Sequence, residues 1–255
     1  MGTLTDTEPR GRVAVITGAS RGLGKAMALA LAAAGARVAL VARDQDKLNE
    51  VSAEARKLGA EAEPFTVDVT DEVQIRKLEH DVTGRFGAVH ILINNAGINI
   101  RKKVEDFTLD EWNRVLTTNL TSAFLLCRSF IPHMKGQGYG RILNLTSIMS
   151  HVSLPERAAY SASKAGLLGF TKTLALELAP EKITVVAISP GPFATEMNLP
   201  LLNNPEVNRQ FVSKIPVGDW GKVEDIGKLA VFLCSGGTAF LTGTDILIDG
   251  GWCAQ

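Results

Sequence analysis

The chain reads as a single α/β domain built on a doubly wound, seven-stranded parallel sheet with helices on both faces. Three observations lead there. Short β-branched, apolar runs recur along its 255 residues, stretches with helical spacing separate them, and the first run leads straight into a glycine-rich turn. Strands apolar on both faces need helices on both faces, which is the parallel arrangement.

In chain order the strand candidates are Val13–Thr17, Val38–Ala42, Ala62–Val67, Val89–Asn94, Arg141–Ser147, Thr184–Ser189 and Asp245–Ile248. The helical stretches between them include Gly24–Ala34, Gln45–Leu58, Glu72–Phe86, Leu109–Met134 and Ala159–Leu178. No Pro/Ser-rich linker, repeat or low-complexity tract divides the chain, so residues 1–255 are expected to form one domain. The segment Pro190–Asp219 carries five prolines and breaks the rhythm. It follows the C-terminal end of the sixth strand, where open α/β sheets bind ligands. An irregular lid over a site is the expectation, with disorder as the alternative.

Composition excludes several classes. Lys and Arg number 27 against 27 Asp and Glu, so nothing in the charge favours nucleic acid or an anionic membrane as partner. Cys127, Cys234 and Cys253 are odd in number and scattered, which fits reduced thiols in a cytosolic protein. Met1 to Arg12 is polar and lacks the apolar core of a signal peptide, and Asp6 stands where a myristoylation motif places Ser or Thr. No apolar stretch reaches the ~18 charge-free residues of a spanning helix. A soluble, cytoplasmic protein is expected. His80, His90, His133 and His151 lack metal-ligand spacing, so no metal site is expected; His151, four residues past Ser147, is the one that could edge a pocket.

The chemistry concentrates elsewhere. Tyr160 and Lys164 stand four apart in one helical stretch, which puts a phenol and an ammonium on one face. A cation held ~4–6 Å from a phenol favours the phenolate, so the pair suits acid-base work. Ser147 closes an apolar strand run thirteen residues upstream. Asn119 falls inside the apolar stripe of Trp112, Leu116, Ala123, Cys127 and Phe130, where an amide must be hydrogen-bonded or cost about 1–3 kcal/mol. The turn Thr17-Gly18-Ala19-Ser20-Arg21-Gly22-Leu23-Gly24 joins the first strand to a helix. Its glycines admit positive φ and let backbone N–H groups approach a pyrophosphate.

Five motifs in order, TGxxxGxG at Thr17–Gly24, NNAG at Asn94–Gly97, Ser147, YxxxK at Tyr160–Lys164 and Pro190-Gly191, give a chain that resembles the short-chain dehydrogenase/reductase family over residues 11–252. The resemblance implies a Rossmann fold and an oxidoreductase that moves hydride between a nicotinamide and a carbonyl or secondary alcohol. It assigns catalysis to Asn119, Ser147, Tyr160 and Lys164, with Asn119 holding a water that relays protons to Lys164. A structural Asn bonded to neighbouring backbone is the alternative. It assigns cofactor binding to Gly18, Ser20, Arg21, Gly22, Leu23, Gly24, Arg43, Asp68, Val69, Asn95, Ala96, Gly97, Tyr160, Lys164, Pro190, Gly191, Phe193 and Thr195. Members of this kind commonly form homotetramers through helices that correspond to Leu109–Met134 and Ala159–Leu178, and Asp249–Trp252 is expected at a second contact.

The second strand bears on the cofactor. NAD-binding relatives place an acid at its end, where this chain has Ala42 followed by Arg43, and Arg21 adds a second cation. NADP(H) is therefore favoured, with NAD(H) left open. Asp44 is expected to face solvent or cap the next helix. Asp68 matches the family's adenine contact, or else caps the helix beginning near Asp71.

For substrate, Asn99-Ile100-Arg101-Lys102 and the stretch Gly191–Met197 resemble gluconate 5-dehydrogenase-like members. Arg101 and Arg157 could receive a sugar-acid carboxylate, or be solvated surface arginines. A 3-oxoacyl-[acyl-carrier-protein] reductase is the second reading, weakened by Gly138 and Glu181 where such members carry basic residues. An NADP-sensing protein without activity is the non-enzyme alternative. A longer epimerase/dehydratase would carry an added substrate domain.

Overall fold

The computed structural model describes residues 9–255. The polar N-terminal segment, expected to be no leader, therefore lies mostly outside the described residues. Seven strands run in the order β3-β2-β1-β4-β5-β6-β7 and pair in parallel throughout. They are β1 Val13–Thr17, β2 Arg37–Ala42, β3 Ala62–Thr66, β4 Ile91–Asn94, β5 Gly140–Leu145, β6 Ile183–Pro190 and β7 Asp245–Ile248. The helices are α1 Gly22–Ala33, α2 Gln45–Lys57, α3 Glu72–Phe86, α4 Leu109–Leu116, α5 Ser122–Met134, α6 Ala158–Leu178, α7 Leu199–Leu202, α8 Pro205–Val212 and α9 Val223–Leu233.

Alternation along β1 explains the layering. Ala14 and Ile16 share one core with Met27 and Leu31 of α1, Leu48 of α2 and Ile226 of α9. Val13 and Val15 enter the other, with Leu78 of α3, Phe130 of α5 and Leu174 of α6. Every residue of β1 is buried, as a central strand covered on both faces requires. Polar side chains set the helix starts. Asp44 caps α2 through Lys47 N, Asp71 caps α3 through Val73 N and Gln74 N, and Thr108 with Glu111 forms a reciprocal capping box on α4. The capping role left open for Asp68 thus belongs to Asp71.

Two expectations need correction. The stretch Leu109–Met134 is not one uniform helix, because a π-turn over Thr117–Thr121 separates α4 from α5. The segment 190–219 is not irregular throughout. It holds α7 and α8, the latter opened by Asn204, which caps Val207 N, and by Pro205 in the first turn. An Asn-Pro pair is a helix-start signal. Phe211 of α8 stacks on Trp220 at 5.0 Å and tilts against Trp252 at 5.2 Å. The C-terminal run expected at a subunit contact thus packs against the chain's own 190–219 segment. All three cysteines are free. Among the described residues no helix is long and apolar enough to cross a membrane, and no group of three or more His, Cys, Asp or Glu could hold a metal.

Candidate active site

A cleft of about 980 Å³ lies at the C-terminal ends of the strands, and its wall runs from Arg21 and Arg43 to Ser147, Tyr160 and Lys164. At one end is the glycine turn. Gly18 and Gly22 sit at φ +65° and +55°, conformations that side chains disfavour. A Cβ on Gly18 would lie 2.6 Å from Asn95 Nδ2, and one on Gly24 only 2.2 Å from Gly18 O. The start of α1 differs from that of its neighbours. Arg21 at its N-cap makes no side-chain capping bond, and the first turn holds no acid. Backbone N–H groups at the start of α1 are thus left for a ligand, and an anion there is favoured by the helix dipole. A pyrophosphate-bearing dinucleotide fits this cradle.

Ser20, Arg21, Gly22, Leu23, Arg43, Asp68, Val69, Asn95, Ala96, Gly97, Pro190, Gly191, Phe193 and Thr195 all line the cleft, whereas Gly24 lies beneath it. Asn95 has a structural task as well, since its amide donates to Thr17 O at 2.9 Å and Gly18 O at 3.3 Å. The sequence reading gave Thr17 no role of its own. Its Oγ1 accepts from Asn95 N and Ala96 N and donates to Ile93 O, so it ties the NNAG run to β1. A hydroxyl at the end of an otherwise apolar strand is the signal that points to it. Asn99, likewise without an assigned role, lines the cleft with its Oδ1 buried and unpartnered. Arg21 bonds Glu196 at 3.1 Å across the opening, and Arg43 lies 3.9 Å from Asp68. Asp44 lines the same rim, but its carboxylate is spent on capping.

At the other end the expected cluster assembles. Lys164 is 4% exposed, donates to Leu145 O at 2.5 Å and stands 5.7 Å from the centre of the Tyr160 ring. Burial lowers its pKa from 10.5 to about 8. Burial also raises the Tyr160 phenol, against the hydrogen bond from Ser147 and the charge of Arg157. Desolvation thus outweighs both the Ser147 hydrogen bond and the Arg157 charge. Ser147 lies just beyond β5 in extended conformation, and its Oγ accepts from Met149 N. That leaves its hydroxyl proton free to donate.

Asn119 is 2% exposed and does not line the cleft. Its Oδ1 accepts from Ile98 N at 2.8 Å, and its Nδ2 donates to Ile98 O and Ser163 Oγ. The side chain thus ties the segment after NNAG to α6. His151 does not line the cleft either; it bonds Asp245. Arg157 is half-buried, which lowers its pKa, and the charge of the exposed Arg101 lowers it further; neither arginine lines the cleft.

Such a fold and cleft define an NAD(P)-dependent oxidoreductase acting on CH–OH or keto groups. The chain belongs to the short-chain dehydrogenase/reductase family: residues 18–253 match the family model described as enoyl-(acyl carrier protein) reductase. It is 35% identical over 243 residues to a 3-oxoacyl-[acyl-carrier-protein] reductase of Aquifex aeolicus, covering 95% of this chain and 97% of that one. A short-chain type dehydrogenase/reductase from Mycobacterium marinum superposes with a TM-score of 0.91 at 38% identity, over 97% of this chain and 98% of the other. A gluconate 5-dehydrogenase from Burkholderia cenocepacia, solved in complex with NADP and tartrate, superposes with a TM-score of 0.94 at 31% identity, over 99% and 100%.

Proposed function

We propose that this chain is an NADP(H)-dependent reductase of keto-sugar acids, working in the reverse direction as a gluconate 5-dehydrogenase-like alcohol dehydrogenase. The observation that carries the reading is a cleft that runs from Ser147, Tyr160 and Lys164 to Arg21 and Arg43 on its far rim, with Arg157, three residues before Tyr160, feeling the charges of Tyr160 and Arg101. Two guanidiniums suit a substrate carboxylate, and two more suit a 2′-phosphate. A relative solved with NADP and tartrate, a dicarboxylate, supports both halves.

When bound, the dinucleotide supplies or accepts hydride at its nicotinamide. The protein does the rest. The glycine turn and the N-terminus of α1 would hold the pyrophosphate, Asp68 and Val69 would meet the adenine, and Ala96, Gly97, Pro190, Gly191, Phe193 and Thr195 would hold the inner half. Tyr160, raised by burial, keeps its proton at neutral pH and gives it to the carbonyl oxygen during reduction. Ser147 donates a hydrogen bond to the same oxygen and stabilises its developing charge. Lys164 bonds the nicotinamide ribose and, while protonated, offsets negative charge on the phenol. The segment 190–219, which contributes Phe193, Thr195 and Glu196 to the cleft wall, closes as a lid. Homotetramers form through α5 and α6, which leave Phe124 and Leu176 exposed.

The test is a panel of 5-ketogluconate and other keto-sugar acids, acetoacetyl thioesters and simple diketones, followed by NADPH absorbance. Turnover of the sugar acids above the diketones is expected. Preference for the thioesters would replace the reading by the 3-oxoacyl reductase one, and NADPH binding without any turnover would favour a sensor.

A further inference from the structure

The turn that begins at Ser147 is stitched to the start of β7. Asp245 opens that strand, and its side chain is 8% exposed. Its Oδ2 lies 2.5 Å from His151 Nε2 and accepts from Ser189 Oγ at 2.7 Å. Ser189 Oγ in turn lies 3.1 Å from the carbonyl oxygen of Ser147 and 2.9 Å from Thr146 Oγ1. His151 stands at the far end of the short turn Ile148–Ser150, which Ser147 begins. Asp245 therefore meets the far end of the Ser147 turn through His151, and its Oδ1 lies 3.4 Å from Thr146 Oγ1, on the residue before Ser147.

Ser189 has a single hydroxyl proton, and an ionised carboxylate takes it in preference to a neutral carbonyl. Thr146 satisfies itself by donating to Ile188 O at 2.8 Å. The Asp245 carboxylate thus draws the Ser189 proton away from the Ser147 carbonyl, which leaves His151 as its hydrogen-bonded link to the turn. Sheet pairing does not require it, because β6 and β7 pair through backbone. A nearly buried carboxylate is costly unless paired, and among the described residues His151 makes its one ion-pair contact. Neither residue lines the cleft.

We propose that Asp245 and His151 are positioning residues that hold Ser147 in register for the carbonyl oxygen. This rests on the reading of Ser147 as the hydroxyl that meets that oxygen. A displacement of a reacting group by about 1 Å can cost on the order of 100-fold in rate, so a smaller shift of Ser147 falls within ~10–100-fold.

Four single variants test it: Ser147→Ala, Asp245→Asn, His151→Leu and His151→Gln. Each is assayed for kcat on the fastest ketone of the substrate panel, for NADPH affinity by fluorescence, for melting temperature, and by crystal structure without ligand. His151→Leu and Asp245→Asn are expected to lower kcat by ~10–100-fold with NADPH affinity unchanged and Ser147 Oγ displaced. His151→Gln, which keeps a donor, should recover most of the rate. The double variant should be no worse than the poorer single one, since both remove one linkage. If Ser147→Ala abolishes turnover while His151→Leu keeps full kcat and an unmoved Ser147, the positioning role is wrong and the catalytic reading stands. If Ser147→Ala keeps its rate, the catalytic reading fails. Should Asp245→Asn not fold, the two His151 variants decide alone. Equal loss of rate, cofactor affinity and melting temperature in His151→Leu would mark a merely structural contact and overturn the proposal.

Discussion

Lys164 is held where its charge is expensive, and that expense can be measured without any substrate. Its pKa falls from 10.5 to about 8 on burial. Each unit is about 1.4 kcal/mol, so the folded chain disfavours the ammonium by about 3 kcal/mol relative to the unfolded one. Below pH 8 both states carry the proton and the whole penalty is present. Between 8 and 10.5 the folded state releases its proton while the unfolded state keeps it, so stability gained from this group rises with pH. Above 10.5 nothing further is gained. Lys164→Met lacks this dependence, though it also leaves Leu145 O without its donor at a cost of about 1–3 kcal/mol. The informative quantity is therefore the difference between wild type and variant across pH.

Urea unfolding of both proteins, without cofactor, at pH 7, 8, 9 and 10 gives that difference, and every other titrating group cancels to first order. The wild type should gain on the variant by about 2.5 kcal/mol between pH 7 and 10, roughly 70-fold in the folding constant. Saturating NADPH should shrink the rise, because acceptors on the ribose favour the ammonium. A flat difference would refute the burial account, and a fall with pH would mean that Lys164 has an anionic partner in the folded state.

Three further outcomes are expected. Tyr160→Phe should keep its fold and its NADPH affinity while kcat drops by ~10²–10⁴, and a variant retaining most of its rate would sink the acid assignment. Arg43→Ala should raise KM for NADPH about tenfold, or about 1.4 kcal/mol, with NADH use little changed; an unaltered constant would place the 2′-phosphate elsewhere. Light scattering at micromolar concentration should return four times the 27.3 kDa chain mass, and a monomer would leave the exposed Phe124 and Leu176 without a subunit to cover them.

Whatever a local rule encodes was legible in the sequence. Seven β-branched runs gave all seven strands, because a fully covered strand such as β1 is apolar up to its last residue, Thr17. Glycines gave the turn, because only they tolerate the φ of Gly18 and Gly22. The caps of α2 and α3 were within reach for the same reason, each set by one carboxylate three residues or fewer from its partner N–H. The 190–219 segment misled because proline was weighed as a breaker. At Pro205, behind Asn204, it starts a helix instead.

Asn119 shows where local rules stop. Its place in an apolar stripe said that the amide needed partners, but not which ones. The partners are Ile98, on the segment after NNAG, and Ser163, which neighbours Lys164 on α6. Reaching both requires the π-turn at Thr117–Thr121, where Ser122 N bonds Thr117 O and Ser122 Oγ takes up the carbonyl of Thr118. An extra residue in the turn rotates α5 relative to α4, and that costs regular hydrogen bonding. No spacing of hydrophobic residues announces it, since the stripe continues through. The benefit is long-range: one side chain fixes the floor of the cleft against the helix that carries Tyr160 and Lys164. Sequence reasoning could find the groups that do chemistry by their type and interval. The groups that hold them at the right distance, Asn119, Thr17 and Asp245 among them, act across 21 to 99 positions of chain and become visible only when the sheet is assembled.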